Sequence, residues 1–303
     1  MKRRLIQEGI LTHCYQRTVN GSIMFYSVAD HLVYFTSYCI HAAKNGVRVL
    51  GLCQMPDHIH DSLIIRDIEQ LAAFKRDHNA YFATAQNEIL GVRGTLFEHS
   101  YGSAVKVGAK KARANLIYVG NNPVERQLAQ NAEDYRWNYV AFANNKNPFS
   151  EKLVLRNSSW AMRTAVREVR AQRKKCLPMT YQLLFRLFKP LNNNEKQQLT
   201  DYIVCLYNII DYEMALEFFD GSFEHFITAL HSTTGSEYDL NEVFVGRSDA
   251  CYNLFSSLIL KEYGLTDIHQ LFKEDKERMY LFLKSKTGAP GKQIKKYLRM
   301  REL

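Results

Sequence analysis

Gln54-Met55-Pro56-Asp57-His58-Ile59-His60 is the stretch that decides how this chain is to be folded. It follows the apolar run Val47-Arg48-Val49-Leu50-Gly51-Leu52-Cys53 and leads into Ser62-Leu63-Ile64-Ile65, so a strand is expected to carry both histidines. Side chains alternate along a strand, which sets His58 and His60 on one face and Ile59 on the core face. Two adjacent imidazoles suit a divalent metal; two surface histidines on an edge strand would give the same tripeptide. The remainder of the chain must separate these alternatives.

With 303 residues the chain is long enough for two domains of roughly 100–200 residues each. Its composition, 46% hydrophobic and 23% charged, is that of a globular protein and excludes disordered and fibrous classes. No apolar run approaches the ~20 residues needed to span a bilayer, so no membrane partner is expected. The basic start Met1-Lys2-Arg3-Arg4 leads into no secretory h-region, and a cytoplasmic location is expected. Six cysteines (Cys14, Cys39, Cys53, Cys176, Cys205, Cys251) form no C-x-x-C pair, which argues against a zinc knuckle or a disulfide framework.

The net charge of +9 is unevenly distributed. Residues 1–150 hold 17 Lys/Arg against 12 Asp/Glu, and residues 186–283 hold 8 against 16. Between them Arg163, Arg167, Arg170, Arg173, Lys174 and Lys175 face a single Glu168. The tail is basic again, with Lys284, Lys286, Lys292, Lys295, Lys296, Arg299 and Arg301 preceding Glu302. Segregated basic patches are the electrostatic footprint of a nucleic-acid binder, although solvated helix faces would also look like this.

In order, Ile10 to Thr18 reads as a first strand before the turn Asn20-Gly21, and a helix follows Ser27 until Asn45-Gly46. After the histidine strand, Asp67 caps a second helix. A hairpin is expected from Thr95–Tyr101 and Ala104–Val107, turned at Gly102-Ser103. Ala109 to Asn122 then reads as a helix stopped by Pro123. On it Tyr118 and Asn122 lie one turn apart on one face, where a phenol and an amide oxygen could converge. A core tyrosine followed by a capping Asn is the structural alternative. Lys106, Lys110, Lys111 and Arg113, just upstream, are candidate phosphate contacts or solvated surface.

The order Met55-Pro56-Asp57-His58-Ile59-His60, Tyr118-Val119-Gly120-Asn121-Asn122-Pro123 and Tyr135-Arg136-Trp137-Asn138-Tyr139 resembles the HUH single-strand DNA transposases, most closely the REP-associated tyrosine transposases related to insertion-sequence transposases. The resemblance covers roughly residues 8–145. It implies an α+β fold of HUH, ferredoxin-like kind: an antiparallel sheet with packed helices, histidines on a central strand and tyrosine on a facing helix. It also implies that His58, His60 and Asn122 ligate Mg²⁺ or Mn²⁺ and that Tyr118 is the nucleophile. The implied reaction is metal-dependent cleavage and strand transfer of single-stranded, hairpin or palindromic DNA through a 5′-phosphotyrosyl intermediate, as in DNA transposition and recombination. The implied setting is prokaryotic and nucleoid-associated, with a monomer or homodimer acting. Asp57 stands where Asn is usual, and Asp61 stands where an aliphatic residue is usual. By alternation Asp61 joins Ile59 and Leu63, so it is either buried at a cost, a cause of local twist, or an outer-shell partner of the metal.

Beyond residue 145 the resemblance ends. The chain is expected to divide into an HUH nuclease domain over 1–145, a basic linker helix within 146–180, and an all-helical accessory or DNA-binding region over 181–303. Within the last, residues 275–301 are a helix-turn-helix candidate whose second helix presents Lys292, Gln293, Lys295, Lys296 and Arg299; a plain helical hairpin is the alternative. An enzyme is expected, with a non-catalytic hairpin-binding or regulatory descendant as the second reading and an RNA binder as the third.

Overall fold

The structure, a computed structural model, describes residues 6–98, 101–232 and 249–300. Residues 99, 100 and 301, which fall in the expected hairpin and tail, lie outside them. The fold is α+β: a four-stranded antiparallel sheet with packed helices, followed by an all-helical region.

Strand β1 (Leu11–Arg17), β2 (Arg48–Gln54), β3 (His58–Ile64) and β4 (Gly102–Val105) lie in the order β2-β3-β1-β4. The histidine strand is therefore central, paired on both sides, with His60 opposite Tyr15 on β1 and opposite Cys53 on β2. Two helices cover one face. Helix α1 (Val28–Lys44) starts where the Ser27 hydroxyl accepts from the Asp30 amide and the Asp30 carboxylate accepts from the Ser27 amide, a reciprocal cap. Helix α2 (Ile68–Leu90) is capped by Asp67 and closed by Gly91 at φ 63°, a left-handed turn that suits glycine. Against them pack Cys14, Leu52, Ile59 and Leu63 from the sheet.

The opposite face meets helix α3 (Ala109–Glu125), which lies over β2 and β3. Its buried Ala112, Leu116 and Val119 pack on Leu11, Leu50 and Cys53. Pro123 does not stop this helix, which continues to Glu125: in the last turn a missing N–H forfeits only one bond. The expected hairpin shrinks to β4, because Gly102 and Ser103 pair in the strand instead of turning, and Phe97 meets Thr18 only as an isolated bridge.

Helix α4 (Trp160–Lys174), α5 (Tyr181–Phe188) and α6 (Asn193–Tyr207) form a further layer on α1, and Leu184, Leu187, Leu199 and Ile203 share its core. Helix α7 (Tyr212–Glu217) and α8 (Phe223–Ser232) pack beside α3, whose Gly120 leaves no side-chain room against Leu230. Helix α9 (Cys251–Glu262), α10 (Lys276–Thr287) and α11 (Gly291–Tyr297) form a third cluster with Ile23, Tyr26 and Leu90. Between α9 and α10 lies a 3-10 turn, Ile268–Lys273, opened by Asp267. No helix among the described residues is long and apolar enough to cross a membrane.

Candidate active site

The sheet face turned toward α3 and the buried face of that helix meet at one place. His58 and His60 project from β3 on the same side, with ring centroids 4.9 Å apart and planes at 89°. Tyr118, from α3, stands edge-on to His60 at 5.2 Å and to His13, from β1, at 5.6 Å. Asn115 and Asn122, three residues before and four after Tyr118, lie on the same buried face of the helix. Asn115 accepts from Ser62 at 2.9 Å and so ties α3 to the histidine strand. Asn122 donates its amide nitrogen to the Tyr118 carbonyl at 2.9 Å, leaving the amide oxygen as the uncommitted end.

The third sequence motif acts as a buckle. Tyr135 donates to the Gln54 carbonyl, Asn138 to the Gly120 carbonyl and Tyr139 to the Leu116 carbonyl, at 2.8, 2.7 and 2.7 Å. These bonds clamp α3 to β2 on either side of Tyr118, which fixes the tyrosine relative to the histidines. Trp137 stacks on His31 at 4.2 Å beneath the buckle.

Both flanking histidines are neutral. Burial, then Lys106 and Lys75, push His13 down to about 3. Burial, then His58, His13, Arg17 and Arg126, hold His60 well below its usual range. His13 Nε2 lies 3.0 Å from His60 Nδ1, and His60 Nε2 is buried with no hydrogen-bond partner. His58 shares its Nδ1 with Asp57 at 2.5 Å, and Asp57 in turn receives Lys296 at 3.0 Å. Burial works against the Asp57 charge, but His58 and Lys296 outweigh it and hold the carboxyl far below the usual range.

These observations test whether Mg²⁺ or Mn²⁺ fits. Neutral imidazoles are the ligating form, the orphaned His60 Nε2 is an available donor, and a carboxylate on the far nitrogen of a ligating histidine orients the ring. Ligation through His60 Nε2 makes its Nδ1–H the donor to His13, which fixes His13 as the Nδ1–H tautomer. Two imidazoles and an amide oxygen are a donor set open enough for substrate. Although His13, His58, His60 and Asp57 lie close together, no three His, Cys, Asp or Glu side chains among the described residues are placed to hold a metal ion jointly, so a third protein ligand would be of another type, such as the Asn122 amide.

Asp61 is not part of this site. It lies on the opposite face, where its carboxylate accepts from Tyr38 at 3.0 Å and is paired with the buried Lys75. Its commitment to Tyr38 and Lys75 on that face, and not the alternation alone, removes the outer-shell alternative, and burial with a partner is what the structure shows.

The basic residues are divided. Lys106 is half-buried and acts on His13, while Lys110, Lys111 and Arg113 are exposed at the start of α3, with Arg113 donating to the Phe218 carbonyl. On α4 the residues Arg163, Arg167, Arg170, Lys174 and Lys175 are exposed and Arg173 is half-buried. Arg163, Arg170 and Arg173 bond to Ser158, Tyr202 and Leu206. This helix belongs to the layer beyond α1, away from Tyr118. At the C-terminus Lys292 is exposed, Lys295 half-buried, Lys296 bound to Asp57, and Arg299 bound to the Ile23 carbonyl and Gln86. The buried side of α11 is Gln293, Ile294 and Tyr297, so Gln293, expected on the outward face, is turned inward instead.

Residues not singled out from the sequence are also present. His13 could have been noticed as a polar residue breaking the apolar face of β1, whereas Arg17, Arg126 and Asp249 carried no signal. Arg17 and Arg126 act on His60. Asp249, whose Oδ2 is buried without a hydrogen-bond partner, is pushed up to about 6 by burial and by Asp57.

No family model matches the chain, and no curated protein matches it in sequence. One solved structure is similar: a REP-associated tyrosine transposase bound to a REP hairpin, at 12% identity and a TM-score of 0.41. It covers 51% of this chain and 93% of that chain. At that distance the likeness assigns no role to any residue here.

Proposed function

We propose that this protein cleaves and rejoins single-stranded DNA, with Tyr118 as nucleophile, on hairpin or palindromic substrates. The observation that carries this is the placement of Tyr118 edge-on to two buried neutral histidines, one with an orphaned Nε2. His58, His60 and Asn122 would hold Mg²⁺ or Mn²⁺, which when bound supplies charge neutralisation at the scissile phosphate. Tyr118 attacks phosphorus, the P–O3′ bond breaks, the phenol proton is released and the 3′-oxygen leaves as a hydroxyl. The product is a 5′-phosphotyrosyl adduct whose bond energy is retained, so the 3′-hydroxyl can reverse the step without ATP. His13 holds the orientation of His60, Asp57 that of His58, and the Tyr135–Tyr139 buckle keeps the helix in register with both. Arg17 and Arg126 add positive charge where phosphate must approach.

A second reading, hairpin binding without cleavage, is favoured by one observation: Lys296, a residue of the basic tail, closes onto Asp57 beside His58. A single assay separates the two. Hairpin DNA incubated with the protein and Mg²⁺ or Mn²⁺ should yield a covalent adduct with wild type and none with Tyr118→Phe. His13→Ala should lower the yield roughly 10–100-fold, as loss of an orienting partner does. Unchanged cleavage by Tyr118→Phe overturns the enzyme, and tight binding without adduct under either metal favours the second reading.

A further inference from the structure

Helix α3 lies over β2 and β3, and the β1–β4 half of the same face carries an aromatic residue that is not covered. On β1, His13, Tyr15 and Arg17 alternate onto this face, and Tyr15 is 38% exposed while its neighbours Cys14 and Gln16 are buried. Tyr15 lies opposite His60 in the register of β3 and opposite Gly102 in the register of β4. Its ring occupies the space where a side chain at 102 would begin: a Cβ there would collide with Tyr15 Cε1, Cζ and Oη. Gly102 is thus a seat that lets the ring lie across the edge strand instead of standing away from it. Ring centroids place Tyr15 6.5 Å from His60 and 6.2 Å from His13.

One cation lies against this aromatic surface and others follow along the edge strand that seats it. The Arg17 guanidinium lies 5.6 Å from the Tyr15 ring centroid. Lys106 follows β4 directly, and the exposed Lys110 and Lys111 open α3 just after it. An aromatic ring beside a track of cations is the arrangement that holds unpaired nucleotides, since every base has a stackable face and every linkage a charge. A duplex presents its bases edge-on in grooves and could not lay one flat on this ring.

We propose that Tyr15, seated on Gly102, is a stacking shelf for an unpaired base immediately next to the phosphodiester that Tyr118 attacks. This rests on the strand-cleaving function proposed above and adds that the flanking nucleotide must be single-stranded. The shelf gives the enzyme a means of measuring where a hairpin stem ends: the paired stem stops short, and the first unpaired base is captured one strand away from His60. Because stacking is tolerant of base identity, the shelf selects for strandedness and leaves sequence to other contacts.

The test uses the full chain carrying Tyr118→Phe, so that bound DNA stays intact, with the fluorescent base 2-aminopurine placed in turn at each unpaired position flanking the hairpin. One position should be quenched on binding. The quenching should disappear in Tyr15→Ala, with on the order of tenfold weaker binding, and return in Tyr15→Trp. In the Tyr118 background, Tyr15→Trp should restore a cleavage KM that Tyr15→Ala raises, with kcat changing less. Quenching that is equal in Tyr15→Ala and the parent, or absent at every position, overturns the shelf. Adduct formation by wild type is read separately, so absence of adduct with intact Tyr15-dependent quenching would overturn the cleavage reaction and leave the base contact standing.

Discussion

At the scale of single residues, the strand Ile59-His60-Asp61-Ser62-Leu63 shows how much alternation alone conveys. The placement of His58 and His60 on one face and Asp61 on the other was legible, because a strand permits nothing else. The fate of Asp61 was not, since its partner Lys75 comes from α2 and pairing depends on where that helix lies on the sheet. The pair is fully enclosed, with Tyr38 and Lys75 both bonded to the Asp61 Oδ2 and Oδ1 buried with no hydrogen-bond partner. Removing one member of such a pair strands the other charge, whereas removing both can be close to neutral. Lys75→Met should therefore lose about 3–5 kcal/mol of stability in urea denaturation, and Lys75→Met combined with Asp61→Leu should recover most of it. A single Lys75→Met that unfolds at the wild-type urea midpoint would show the pair to be immaterial. The geometry of the candidate site was legible to a similar depth: Tyr118 and Asn122 share a face by helical spacing, but His13 enters through a strand pairing that spacing within one segment cannot reveal.

Among elements, the joint between the first helix and the C-terminal region is a buried charge cluster. Asp30 uses one carboxylate oxygen to cap α1 and the other to accept from Tyr181 of α5 at 2.7 Å and from His269 of the 268–273 turn at 2.9 Å. His269 is also bonded to Asp267 at 2.6 Å. Burial opposes both charges, yet the pairing wins: His269 and the hydroxyl and amide donors bring Asp30 down to about 2, and the two aspartates lift His269 to about 10. The contribution of Asp30 is complete above its ordinary value near 4 and is lost as pH falls towards about 2. That of His269 is complete below its ordinary value near 6.5 and is lost as pH rises towards about 10. Between these limits the joint is at full strength, so wild-type thermal stability should decline from pH 6.5 to 10 while His269→Gln, lower throughout, should be flatter over that interval. Parallel Tm profiles for the two proteins would remove His269 as the cause. The sequence indicated helices on either side of this joint, but charges 239 residues apart have no local signature.

For the molecule as a whole, the polar stretch Asn144-Asn145-Lys146-Asn147-Pro148 looks like a boundary, and the chemistry-bearing motifs all lie before it. Packing crosses it nonetheless. The α4–α6 layer covers α1: Leu184, Leu187, Leu199 and Ile203 are buried in the same core as Tyr38, Cys39 and Phe74, and the Met179 amide donates to Thr36 at 2.9 Å. The last helix reaches the site itself through Lys296 on Asp57, and Arg299 just after it bonds to the Ile23 carbonyl of the segment between β1 and α1. A helix with its sheet side buried and its outer side equally apolar cannot remain solvated on that side, because each buried aliphatic or aromatic side chain re-exposed costs roughly 1.5–3 kcal/mol. Several such residues together exceed the total stability of an ordinary domain, about 5–15 kcal/mol. Residues 1–145 produced alone should therefore aggregate or bind hydrophobic dye and form no DNA adduct, and supplying residues 146–303 as a second chain in the same cell should restore a soluble complex. A monomeric 1–145 fragment with a cooperative thermal transition would show instead that the sheet and helices α1 to α3 suffice, and that the later helical layers serve only the site.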